Sequence, residues 1–168
     1  SKIDYLVATH PHSDHIGSMA YIVRNFEIGE IYMPKVSTTT ATYENLLNSI
    51  SKKGLKIKSA AAGMNITYFD DFTADIIAPE EIDEKNLNNS SIVIKMTLGN
   101  KSFLFMGDAE KSEINSITAD VSADVLKVGH HGSRTSITAD FLEMVQPSIA
   151  VISCGINNDY CHPHESTL

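Results

Sequence analysis

The sequence predicts a mixed α/β domain whose sheet is partly antiparallel. Apolar runs of strand length alternate with stretches in which apolar residues return every three or four positions. Two of the runs flank Gly99 and Asn100, a pair suited to a tight hairpin turn. The 168 residues fit one domain, 1–168. A content of 42% hydrophobic and 20% charged residues sets aside disorder and coiled coil.

Ile3–Ala8 reads as a buried strand that runs into a histidine-rich loop. Ile16, Met19, Ala20, Val23 and Phe26 keep helical spacing, so a helix follows directly, and Gly29 breaks the chain before a strand at Glu30–Met33. Thr42–Lys53 carries Leu46, Leu47 and Ile50 on one helical face, with Gly54 as its C-terminal stop. Short strands are expected at Leu55–Lys58, Met64–Phe69 and Ala74–Ala78, and a hairpin at Ser91–Leu98 and Ser102–Met106. A helix at Lys111–Ile117, a strand at Asp124–Val128, a helix at Thr138–Val145 before Pro147 and a strand at Ile149–Ser153 complete the pattern.

Thirteen basic against 21 acidic residues leave a formal charge of −8, which argues against a broad basic nucleic-acid surface. An enzyme that grips phosphate through bound metal stays open, because the count omits the metal's charge. Cys154 and Cys161 are too few for a disulfide framework, and a single bridge stays open. No apolar run approaches the roughly 20 residues that cross a bilayer. The start carries neither an initiator Met nor the pattern of a signal peptide.

All seven histidines fall in three short clusters. The first, His10-Pro11-His12-Ser13-Asp14-His15, lies between a strand and a helix, where His10 and His12 can turn to one metal while Asp14 and His15 reach a second. Such an H-x-H-x-D-H string arises by chance in roughly one in a thousand chains of this length, so it is specific. Asp108, just after Gly107 at the end of an apolar run, is placed to bridge two cations, although it could instead cap the next helix. His130 and His131 follow another apolar run; adjacent side chains point apart, so one of them is expected to bind metal while the other donates a proton or meets a phosphate. His162 lies in the loop after the final strand and can complete a metal site or act as a general acid, and the signal for His164 is weaker.

These elements, taken in order as THPHSDHIG at Thr9–Gly17, NNSSIVIKM at Asn88–Met96, FLFMGDAE at Phe103–Glu110, ADVLKVGHHGS at Ala123–Ser133 and SCGINNDYCHPH at Ser153–His164, resemble the metallo-β-lactamase superfamily. Within it the pattern is similar to the hydrolase domain of ComEC-type competence proteins, which move DNA into bacteria, and to free-standing hydrolases close to it. The resemblance implies an αββα sandwich with a metal site at the rim between its sheets. It also implies two divalent transition-metal ions, zinc or manganese, with His10 and His12 on one, Asp14 and His15 on the other, Asp108 between them and His130 as a further ligand. Asp14 would orient the nucleophile, and His131 and His162 are left for acid catalysis or substrate contact.

Three departures accompany the resemblance. Asn88, Asn89 and Ser90 stand where many members carry a ligand histidine, so one metal would lack a ligand or use an amide oxygen. Cys161 stands where relatives often have glycine. Only nine residues precede His10, where family domains carry several strands, and family domains also continue past the point where this chain stops. The expectation is therefore an incomplete sandwich, trimmed at both ends, with an open sheet edge available to a second copy. The expected function is metal-dependent hydrolysis of a phosphodiester, single-stranded DNA first. The alternatives are hydrolysis of a small ester, thioester, lactone or cyclic nucleotide, or a non-catalytic fragment. Location stays open between an excised domain of a membrane-embedded competence protein and a soluble relative.

Overall fold

The structure, a computed structural model, describes residues 1–168, the side chains of residues 68 and 69 excepted. Its elements run β1 (Lys2–Val7), α1 (Ser13–Ile16), α2 (Met19–Asn25), β2 (Glu27–Pro34), α3 (Ala41–Lys52), β3 (Ile57–Ala60), β4 (Met64–Phe69), β5 (Phe72–Ala78), β6 (Val93–Leu98), β7 (Lys101–Phe105), α4 (Lys111–Ser116), β8 (Val125–Lys127), α5 (Ala139–Val145) and β9 (Ile149–Val151). The first three strands form one parallel sheet in the order β1-β2-β3. The other six form a second sheet in chain order, antiparallel from β4 to β7 and parallel from β7 to β9.

Strand alternation explains how these sheets stack. In β2, Ile31 and Met33 turn to one face and meet Val23, Leu46 and Ile50 of α2 and α3, while Tyr32 turns to the other and joins Ile76, Ile92 and Ile94 of the second sheet. The second sheet repeats the device: Val93, Leu104 and Leu126 point outward, where Ile114 of α4 and Phe141 and Val145 of α5 cover them. Three apolar layers thus separate helices, sheet, sheet and helices, the αββα order that the resemblance implies.

Three elements differ from expectation for local reasons. Gly29, expected as a break before a strand at Glu30–Met33, lies inside β2, where an added Cβ would meet the Asp4 carbonyl oxygen of β1 at 2.5 Å. The single helix expected from Ile16 to Phe26 is broken into α1 and α2 at Gly17, where an added Cβ would lie 2.6 Å from the Ser13 carbonyl oxygen. The strand expected from Ser91 begins only at Val93, because Leu87–Ser90 winds into a 3₁₀ turn closed by Ser91 N–H donating to Asn88 O. Gly54 follows α3 with a φ of +69°, as its placement after the last apolar position predicts. Both cysteines are free and exposed. β1 is an edge of the smaller sheet, and Phe105 and Val151 on the larger one stay 40% and 45% exposed. Among the described residues, no helix is long and apolar enough to cross a membrane.

One buried carboxyl stands apart from the rim of the sandwich. Glu113 of α4 is 4% exposed with both carboxylate oxygens unpartnered, and burial pushes its carboxyl up to about 9. The folded chain therefore keeps this proton where the unfolded chain, near the ordinary value of 4.5, gives it up. Stability contributed here falls as pH rises from that value toward about 9. Glu113→Gln is expected to be more stable than the parent at about pH 8 by a few kcal/mol, with the gap closing toward about pH 5, in denaturation melts across that range.

Candidate metal centre

The loop after β1 is clamped at its first residues. Ala8 N–H donates to Tyr32 O at 2.9 Å, and Thr9 O accepts from Ile92 N–H of the second sheet at 2.8 Å, so the histidine loop is tied to both sheets before it turns. His10 is fully buried; its Nδ1 lies 3.2 Å from Thr9 Oγ1 and 3.4 Å from Ser91 Oγ, which leaves Nε2 free and directed at Asp108 Oδ2, 3.7 Å away. His12 stands edge-on to the His10 ring, with centroids 4.8 Å apart. The first turn of α1 carries Asp14 and His15. Neither serves as a cap: α1 has no side-chain cap at its N-terminus, and the Asp14 carboxylate lies 3.3 Å from His15 Nε2 instead.

Asp108 arrives from the opposite sheet. It follows β7 through Gly107, which holds φ +54° and whose added Cβ would meet Ser91 Cβ at 2.9 Å and Thr9 Cβ at 3.2 Å. Only glycine suits that backbone and that gap. Asp108 N–H donates to Ser91 Oγ at 3.0 Å, and Oδ1 lies 3.2 Å from His15 Nε2. The side chain does not cap α4, whose N-cap position is Glu110.

His130 and His131 depart from what their adjacency suggested. Their rings are 67° apart, yet both Nε2 atoms approach the same oxygen, Asp108 Oδ2, at 4.0 and 3.6 Å. This requires two consecutive left-handed residues, with φ +45° and +53°, followed by Gly132 at +82°. Each ring is oriented from behind through Nδ1. His131 donates to the Ser153 carbonyl at 2.8 Å and presents Nε2 to Asp14 Oδ2 at 3.0 Å. His130 faces Glu110 Oε1 at 3.1 Å, and Glu110 is itself held by Asn86 Nδ2 at 2.6 Å and Thr135 Oγ1 at 2.8 Å.

His12, Asp14, Asp108, His130, His131 and His162 line one cavity of about 430 Å³, closed further by Asn88 and Tyr160. His10 and His15 lie against Asp108, so the structure brings every site residue expected from the sequence to one place. His164 turns away, its Nδ1 accepting from Arg134 N–H at 3.0 Å. Sequence reasoning missed Glu110, although it stands inside the quoted FLFMGDAE string. Asn88 lines the cavity; its Oδ1 is buried and unpartnered, while Nδ2 lies 3.5 Å from His130 Nε2.

These groups fit a metal. Ligand atoms from Asp14, His15, Asp108 and His131 lie within 4.8 Å of one another. Nε2 of His10 is buried without a hydrogen-bond partner, a costly arrangement that a cation relieves. Burial, aided by the neighbouring His15, lowers His10 to about 3, so it is neutral and ready to ligate. At His15 burial acts downward, but the hydrogen bond and charge of Asp108 outweigh it and the net shift is upward. The same pairing overrides burial at Asp108 and takes it down to about 2.

An αββα sandwich with histidines and carboxylates gathered at the rim between its sheets is the architecture of metal-dependent hydrolases. The sequence model of the metallo-β-lactamase superfamily matches residues 1–156, and the chain belongs to that superfamily. It is 34% identical to ComE operon protein 3 of Bacillus subtilis and 29% identical to Recombination protein 2 of Haemophilus influenzae, each over 99% of this chain. It spans about a fifth of these curated relatives, 22% and 19% of their lengths. In backbone it is similar to CmlA, a diiron β-hydroxylase from Streptomyces venezuelae, with a TM-score of 0.61 at 14% identity over 96% of this chain and 40% of that one. A metallo hydrolase from Ignicoccus hospitalis gives 0.56 at 16% identity over 88% and 61%.

Metal affinity is expected to rise with pH through the raised titration of His15, because the proton there competes with the ion, and then to level off. His15→Ala should bind about 100-fold more weakly or worse and lose most of that pH dependence. Competition against a chromophoric chelator measures both.

Proposed function

We propose that this chain is a metal-dependent phosphodiesterase whose substrate is single-stranded DNA, working with two divalent transition-metal ions, zinc or manganese. The observation that carries the reading is the convergence of His10, His15, His130 and His131 on one desolvated carboxylate, Asp108, at the wall of a single cavity. Support for DNA comes from the name of one relative, which speaks of recombination, and from the resemblance to competence-type hydrolase domains.

The ions would be held by His10 and His12 on one side and by Asp14, His15 and His131 on the other, with Asp108 shared. When bound they supply Lewis-acid activation of water and charge compensation at phosphorus. His131 is assigned as the ligand ahead of His130, because its Nε2 closes the compact group with Asp14, His15 and Asp108. Asp14, 58% exposed in its side chain, would also accept a hydrogen bond from the attacking water and aim it. His130 then takes the proton-carrying role: Glu110 Oε1, 3.1 Å from Nδ1, orients the ring, which lines the cavity and would pass a proton to the departing oxygen. His162, on the same wall, contacts the substrate.

One observation favours a small ester, thioester, lactone or cyclic nucleotide instead: neither lysine nor arginine lines the cavity, and the chain's net charge is −8. Rates on single-stranded DNA and on small esters, measured side by side, separate the two. Asp108→Asn should lower cleavage by about 100-fold or more, since the loss of outer supporting groups alone costs about 10–100-fold, with an unchanged circular dichroism spectrum. Undiminished turnover in that variant overturns the mechanism, and a metal-loaded parent inert on every substrate makes the chain a non-catalytic fragment.

A further inference from the structure

A search for groups that the proposed chemistry leaves unused leads to the cavity's outer lip. Tyr160 lines the cavity, yet 75% of it is exposed. Its ring lies near-parallel to that of His162, 24° apart with centroids at 5.7 Å, and His162 lies near-parallel to His131, 18° apart with centroids at 6.4 Å. Three rings therefore step outward from the Asp108 cluster to solvent, and the last has no protein ring beyond it among the described residues.

The loop that holds Tyr160 is braced. Asn158 Oδ1 accepts from His162 N–H at 2.9 Å, and its Nδ2 donates to the carbonyls of Gly155 at 2.8 Å and His162 at 2.6 Å. His164 N–H then donates to Gly132 O at 3.0 Å, which ties this loop to the His130–His131 turn. An aromatic ring fixed at the mouth of a polar cavity with its outer face bare is a stacking platform, and it costs little side-chain entropy to use.

We infer that Tyr160 is the subsite for an unpaired nucleobase next to the phosphate under attack, which makes the substrate class single-stranded rather than duplex nucleic acid. This rests on the phosphodiesterase reading and adds a specificity-determining residue to it. Stacking accepts any base, because every base has a π face, so the subsite selects unpaired strands without selecting sequence. It also supplies binding that does not depend on lysine or arginine, which the cavity lining lacks.

The test compares an oligothymidylate with the same strand carrying abasic sites throughout, using the metal-loaded chain and its Tyr160→Ala and Tyr160→Trp variants. Loss of one stacked base is expected to raise KM about 10-fold or more, with kcat little changed. Tyr160→Ala should show that rise on the oligothymidylate and no change on the abasic strand, while Tyr160→Trp should keep the parent's KM. Fluorescence anisotropy of the labelled strands on Asp108→Asn, with and without Tyr160→Ala, reads the same preference without turnover. Cleavage of both strands with equal KM in all three proteins overturns the subsite and leaves the phosphodiesterase reading intact. Neither cleavage nor binding of any strand overturns both.

Discussion

The rim of this sandwich is organised by one desolvated negative charge. Asp108 is 3% exposed, and a carboxylate removed from water to that degree needs partners. The chain supplies them as imidazoles from two directions: His10 and His15 from the loop after β1 and the α1 turn that follows it, and His130 and His131 from the loop after β8. The arrangement is also self-consistent in protonation. Burial keeps the most deeply buried ring, His10, neutral, while Asp108 shifts the ring bonded to it, His15, upward.

The loops can bring these partners together because the backbone is pinned around them. Ser91 is the common tie, its hydroxyl accepting from Asp108 N–H while lying beside His10 Nδ1, and Gly107 passes so close to it that a methyl group would not fit. Behind the opposite wall, Glu110 joins the 3₁₀ turn, the His130 ring and the Thr135 loop. The side chains around Asp108 are therefore held by hydrogen bonds from groups that do not line the cavity, the usual means of fixing imidazole orientation.

Much of this was legible in the sequence because it is local. Strand-length apolar runs ending at His10, at Asp108 and at His130 already placed three polar clusters at strand ends, and Gly54 and Gly99 marked a real helix stop and a real turn. What stayed hidden depends on groups distant in the chain. Nothing near position 110 says that its carboxylate will meet an imidazole 20 residues later. The fanning of His130 and His131 onto one oxygen defeats the ordinary rule for neighbours, because that rule assumes right-handed or extended backbone and these two residues adopt neither. The break between α1 and α2 escaped for a similar reason, since periodicity reports which face is apolar and not whether the helix stays continuous.

The clasp of Thr9 O and Ile92 N–H places the site on a seam. Half of the donor set rides on the smaller sheet and half on the larger, and no single element holds the whole of it. An ion shared across that seam would act as a rivet between the layers, a cross-link made of coordination bonds. Its grip and the cohesion of the sandwich would then be one thermodynamic quantity seen from two sides. Sliding one layer by an ångström would spoil the coordination, so the grip on an ion depends on the apolar layer between the sheets keeping its register.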